Sequence, residues 1–151
     1  MSRLSLRAAA LASIVSATVS AAAAAPLEIA VSASPAGLDP HIATAFATFE
    51  MVNGTIYEGL TSVDQDLRLA PGLAESWTVS ADGKTYTFKL RANVAFHDGS
   101  ALTADDVAAT VRRIQSKAIA SPLASRLTVV EKATAVDPRT VEFKLTEPSA
   151  P

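Results

Sequence analysis

The dipeptide Asp82–Gly83 lies between two runs of alternating apolar residues, and no other feature constrains the fold as tightly. On the second run Tyr86, Phe88 and Leu90 fall on one side, with Thr85, Thr87 and Lys89 on the other. Trp77 and Val79 supply a facing row on the first. Asp-Gly tolerates the positive φ angles of a tight reversal, so residues 77–80 and 84–90 are predicted to form an antiparallel hairpin. A second hairpin is predicted from residues 127–136 and 140–145 around Asp137–Pro138–Arg139, because Val141, Phe143 and Leu145 alternate with Glu142 and Lys144.

Between the hairpins, residues 96–100 (FHDGS) read as a turn and Thr103 as the cap of a helix. Asp106, three residues on, approximates a capping box with Asp in place of Glu or Gln. Val107, Val111 and Ile114 form the predicted buried stripe, and Arg112, Arg113 and Lys117 lie late in the helix, where cations are favoured. The Arg112/Arg113 pair reads as a solvated face. Upstream, residues 27–33 read as a strand and 34–40 (SPAGLDP) as a loop. Residues 44–58 read as an amphipathic helix carrying Phe46, Phe49, Val52, Ile56 and Tyr57, with Gly59 as its stop. Residues 60–63 read as a short strand and 69–72 (LAPG) as a turn. The resulting order is strand, helix, strand, hairpin, helix, hairpin, a mixed α/β layout. Trp77, Tyr86, Phe88, Phe96 and Phe143 are expected in the core.

Composition removes several function classes. The 151 residues suffice for one domain or little more. With 49% hydrophobic and 19% charged residues the chain is not of the disordered class. A net charge of −2 argues against nucleic-acid binding. The absence of cysteine rules out disulfides, thiolate metal sites and a thiol nucleophile. Residues 1–25 read as a secretory signal peptide: Arg3 and Arg7 form a basic start, residues 8–19 are apolar, and the alanines at 21–25 offer cleavage sites, with a cut expected after Ala23. Without a cysteine to lipidate and without a twin-arginine pair, the expectation is a periplasmic protein exported by the general route, not a lipoprotein.

Little in the chain suggests catalysis or a metal. His97–Asp98 reads as a turn, and His41, beside Asp39, as a loop residue; a metal site needs three or four convergent ligands. The acid pairs Asp64/Asp66 and Asp105/Asp106 suit turns and caps. No nucleophile elbow, phosphate-cradling loop or His-Glu-x-x-His is present.

One longer pattern is more specific. Leu38–Asp39–Pro40, Tyr57–Glu58–Gly59–Leu60, Gly72–Leu73–Ala74–Glu75–Ser76–Trp77, residues 82–91 (DGKTYTFKLR), 96–99 (FHDG) and 103–107 (TADDV) follow in order. Together they resemble the extracellular solute-binding proteins of family 5, the peptide/nickel class that feeds ABC importers. The resemblance implies a type II periplasmic binding protein-like α/β fold of two lobes closing over ligand, of which this chain would hold the first part of lobe I. Residues 26–68 would be the start of that lobe and 69–151 its small hairpin-rich subdomain, cut short at the C-terminus. It implies a non-enzymatic receptor whose partners are a peptide or other small solute and an inner-membrane permease; no cofactor and no metal-ligating residue is expected in this chain. It further implies that the loop after the first strand and the helix after that loop line the cleft, which makes Ser32, Ser34, Thr44, Phe46, Thr48 and Phe49 the candidate ligand contacts. Short polar side chains there would hydrogen-bond a ligand backbone and the phenylalanines would supply an apolar wall. An alternative is a secreted α/β interaction module that binds no solute; a hydrolase has no support beyond two histidines.

Overall fold

The computed structural model describes residues 28, 30, 34–35, 37–43, 45–52 and 55–149, with the backbone alone at 47, 49 and 50. The chain divides into two units, Met1–Ala30 and Val31–Pro151, and the helices and strands of the described residues all lie in the second. The expected leader lies outside the described residues, as does nearly all of the expected first strand. Among the described residues no helix is long and apolar enough to cross a membrane.

Helix α1 spans Phe46–Val52, shorter than the expected 44–58. The Ile56 and Tyr57 amides still reach back to the Val52 carbonyl, at 3.2 and 2.8 Å. Strands β1 (Thr61–Val63) and β2 (Leu69–Pro71) then pair antiparallel, with Ser62 opposite Ala70. Residues 69–71 are therefore strand, not the turn that Pro-Gly suggested. The reversal occurs earlier, where the Asp64 carboxylate accepts from the Asp66 and Arg68 amides at 2.9 Å each and Leu67 takes a left-handed φ of 61°. In a two-stranded ribbon both strands are edges, so Pro71 can omit its donor at no cost to a ladder.

Strands β3 (Ala74–Val79), β4 (Thr85–Leu90), β5 (Val130–Asp137) and β6 (Thr140–Leu145) form one antiparallel sheet in the order β3-β4-β6-β5. Both predicted hairpins are present. Gly83, at φ 69°, turns the first, and the Asp82 carboxylate accepts from the Lys84 amide. The second hairpin begins at Val130, later than expected, because Pro122–Leu127 forms a 3₁₀ helix. The two hairpins join through β4 and β6, which sets Tyr86 opposite Phe143 and Phe88 opposite Val141.

Helix α2 (Ala104–Gln115) packs against β5 and β6. The Asp106 carboxylate takes both the amide and the hydroxyl of Thr103 at 2.8 Å, so the expected cap is made with Asp. At the other end, the Gln115 side-chain amide donates to the Leu127 and Val130 carbonyls, tying α2 to the start of β5. Val107, Val111 and Ile114 are buried as expected, with Ala104 and Ala108 beside them. The small alanines let the helix approach Leu90, Val141 and Leu145 closely, and this aliphatic cluster is the enclosed core.

The aromatic residues are placed differently from expectation. Phe96 is 45% exposed. Trp77, Tyr86, Phe88 and Phe143 are only half-buried and line an open hollow of about 370 Å³ with Leu60 and Leu69. Phe88 contacts Phe143 edge-on at 5.3 Å and Trp77 at 6.3 Å, both within the range of favourable ring pairs. Cross-strand register, not enclosure by α2, brings these rings together.

Candidate functional site

Site geometry begins at the turn ahead of α1. The Asp39 carbonyl accepts from the Ile42 and Ala43 amides at 3.3 and 3.0 Å, and one oxygen of its carboxylate accepts from the His41 amide at 3.0 Å. Asp is suited to this position because its side chain caps the amide two residues on. Pro40 has its own φ fixed by its ring, which pre-sets the turn.

This turn is anchored from a distant element. Arg113, in the last turn of α2, grips both Asp39 carboxylate oxygens, Nη2 to Oδ2 at 2.6 Å and Nη1 to Oδ1 at 3.1 Å. Nη1 also lies 2.7 Å from His41 Nδ1. The Ser121 hydroxyl, at the start of the 3₁₀ helix, donates to the His41 carbonyl and accepts from the Leu123 amide. Leu38, Asp39, Pro40, His41, Tyr57 and Arg113 together border an open depression of about 470 Å³. The expectation of a solvated Arg112/Arg113 face is thus corrected at Arg113: a planar guanidinium matches a carboxylate fork, and the pair is half-buried.

The charges are mutually tuned. The hydrogen bond from Arg113 holds the Asp39 carboxyl below its ordinary 3.8, with the His41 amide adding to the effect. Asp39 in turn raises Arg113. His41 is pushed below 6.5, first by burial and then by the Arg113 charge, with Asp39 partly opposing.

The sequence-predicted contacts are not gathered in one place. Ser34 is exposed, and Phe46 at the start of α1 is 73% exposed. Thr48 is fully buried, and its hydroxyl meets no hydrogen-bond partner among the described residues. Phe49 lies within α1; Ser32 and Thr44 lie outside the described residues. His97 sits in the exposed 96–100 turn, where the neighbouring Asp98 binds the Ser100 amide and hydroxyl at 2.9 and 2.7 Å. Among the described residues no group of His, Asp and Glu side chains converges as a metal site would require. Sequence reasoning missed the Arg113 anchor, whose partners lie more than seventy positions away; Asp39 before Pro40 was the one available hint.

The chain matches known proteins over most of its length. Residues 68–151 match the family described as bacterial extracellular solute-binding proteins, family 5 middle. The chain is 43% identical over 91 residues to di/tripeptide-binding protein 1 of Pseudomonas aeruginosa (strain UCBPP-PA14), covering 56% of this chain and 17% of that protein. It is 36% identical over 120 residues to the glutathione-binding protein GsiB of Escherichia coli (strain K12), covering 80% of this chain and 23% of that protein. The crystal structure of a periplasmic oligopeptide-binding protein from Borrelia burgdorferi superposes with a TM-score of 0.73 at 28% identity, over 79% of this chain and 27% of that one. The chain therefore spans about a quarter or less of the length of these relatives. Its hairpins and capped helix are part of a periplasmic binding protein fold, and the chain belongs to the bacterial extracellular solute-binding proteins of family 5.

Proposed function

We propose that this chain belongs to an exported receptor that captures small peptides or comparable solutes and delivers them to an ABC permease. The carrying observation is the family match through residues 68–151, and relatives named for di/tripeptides and for glutathione support a peptide-like ligand. Residues 1–25 serve as the cleaved leader, residues 26–68 open the first lobe and 69–151 form its hairpin-rich subdomain. Capture proceeds by closure of two lobes, each contributing contacts, so that ligand stabilises the closed form. No bond is made or broken.

In this reading Ser32, Ser34, Thr44, Phe46, Thr48 and Phe49 lie along the cleft. The exposure of Phe46 supports it as an apolar wall. The test is calorimetry on the intact receptor carrying these residues, with glutathione, dialanine and trialanine as probes. Binding of at least one probe, weakened about tenfold by Phe46→Ala, is the expected result. Absence of binding to all three would refute the peptide-class assignment.

A further inference from the structure

Arg113, Asp39 and His41 form a cluster that neither the fold family nor the solute-binding reading requires. A guanidinium carries only donors, so the 2.7 Å approach of Arg113 Nη1 to His41 Nδ1 requires a bare lone pair on Nδ1. The imidazole in this arrangement is neutral, with its proton on Nε2. A second proton would place N–H against N–H and positive charge against positive charge at that distance. We infer that Arg113 is a positioning residue that clamps the 39–41 turn only while the His41 imidazole is uncharged, so that the turn and the start of α1 beyond it loosen on acidification.

Each group facing the imidazole points the same way or yields. Arg113 comes from α2 and repels the charged ring. Asp39, on the turn itself, attracts it, but its two carboxylate oxygens are already held by Arg113. Tyr57, beyond α1, borders the same depression. The Ser121 hydroxyl does not titrate here and holds the His41 carbonyl, not the ring. A charged imidazole therefore competes with Arg113 for Asp39, and either outcome breaks the three-way contact. The His41 amide ends on the Asp39 carboxylate, whereas the Ile42 and Ala43 amides end on its carbonyl, so displacing the carboxylate removes the side-chain hydrogen bond that caps the turn. Phe46 comes three residues later.

The consequence for ligand rests on the proposed receptor function: a loosened start of α1 lowers solute affinity. The structural part is tested without ligand. Imidazole nitrogen NMR on the intact protein identifies the His41 signal as the one lost in His41→Gln. The expected result is that His41 holds its proton on Nε2 and titrates below the ordinary imidazole value of 6.5. The amide protection factor at His41 should fall several-fold across that titration, as pH drops through and below about 6.5. His41→Gln, whose side-chain oxygen accepts from Arg113 without titrating, should keep the protection and abolish its pH dependence; Arg113→Lys should lose it at every pH. Constant protection while His41 titrates would overturn the clamp. Glutathione calorimetry over the same range tests the positioning role: affinity should fall with acid in the parent and stay level in His41→Gln. A level affinity in a parent whose turn opens would overturn positioning. If glutathione binds at no pH, the choice of solute class fails, and the exchange data alone decide the clamp.

Discussion

Gly72 and Gly59 meet backbone to backbone: a Cβ on Gly72 would lie 2.5 Å from the Gly59 carbonyl oxygen and 3.1 Å from that of Leu60. Those same two oxygens accept from the chain at 72–74, Gly59 from Leu73 at 2.9 Å and Leu60 from Gly72 and Ala74 at 3.1 and 2.9 Å. The contact locks the strand after α1 to the start of the large sheet. Gly72→Ala must push backbone against backbone. It should cost about 1–3 kcal/mol of stability, the usual penalty for overpacking. Gly37→Ala, with nothing within 4 Å of the added carbon, should unfold at the parent's denaturant midpoint. Urea titration of the two variants checks the contrast.

Leu90 is the largest fully buried side chain among the described residues, and it joins β4 to the α2 cluster. Leu90→Ala leaves a cavity where helix and sheet meet, and about 2–5 kcal/mol should be lost. Val136, on the edge strand β5, is 62% exposed; Val136→Ala should stay within about 0.5 kcal/mol of the parent. Equal losses in both variants would mean that the enclosed core is not the aliphatic cluster around α2.

What was legible in the sequence is local. The Asp82–Gly83 hairpin, the second hairpin at Asp137, and the Thr103–Asp106 cap are each specified locally, by turn chemistry and alternation. The misreadings arose where the deciding contact is distant. Residues 69–71 became strand because Thr61–Val63 pairs with them. Arg113 left the solvated face because Asp39, 74 positions away in sequence, meets it in space. The aromatic row stayed half-open because α2 lies against β5 and β6 rather than over Trp77. Of the candidate contacts, exposure or burial emerged only with the structure, since period alone gives Phe46 and Thr48 similar standing on a helix.

Three turn carboxylates predict the acid response. Asp82 is held below 3.8 first by the Ser80 hydroxyl, Asp98 by the Ser100 hydroxyl, and Asp137 by the Arg139 amide. Each folded-state value is lowered, so the stabilisation is complete above 3.8 and is lost as pH falls through the folded values. Replacing one of them by Asn should flatten the dependence of stability on pH below about 4 and leave its shape near neutrality unchanged. Carboxyl-carbon NMR, paired with acid unfolding of Asp82→Asn and Asp137→Asn, reads both quantities. An acid slope identical to the parent's in both variants would show that these turns do not drive acid unfolding.

Thr48 carries the sharpest question about the cleft. Its hydroxyl is fully buried without a partner among the described residues, and such a group ordinarily costs about 1–3 kcal/mol. Thr48→Val keeps the shape and removes the hydroxyl. If the hydroxyl is reserved for a solute that reaches it when α1 shifts, this variant should unfold at the parent's midpoint or up to about 1 kcal/mol later, while its affinity for a bound peptide falls. The opposite pair of results, lower stability with unchanged affinity, would place the hydroxyl's partner inside the protein and remove Thr48 from the cleft. Calorimetry and urea unfolding on the same preparation distinguish the two, because one variant then reports on packing and recognition through separate observables.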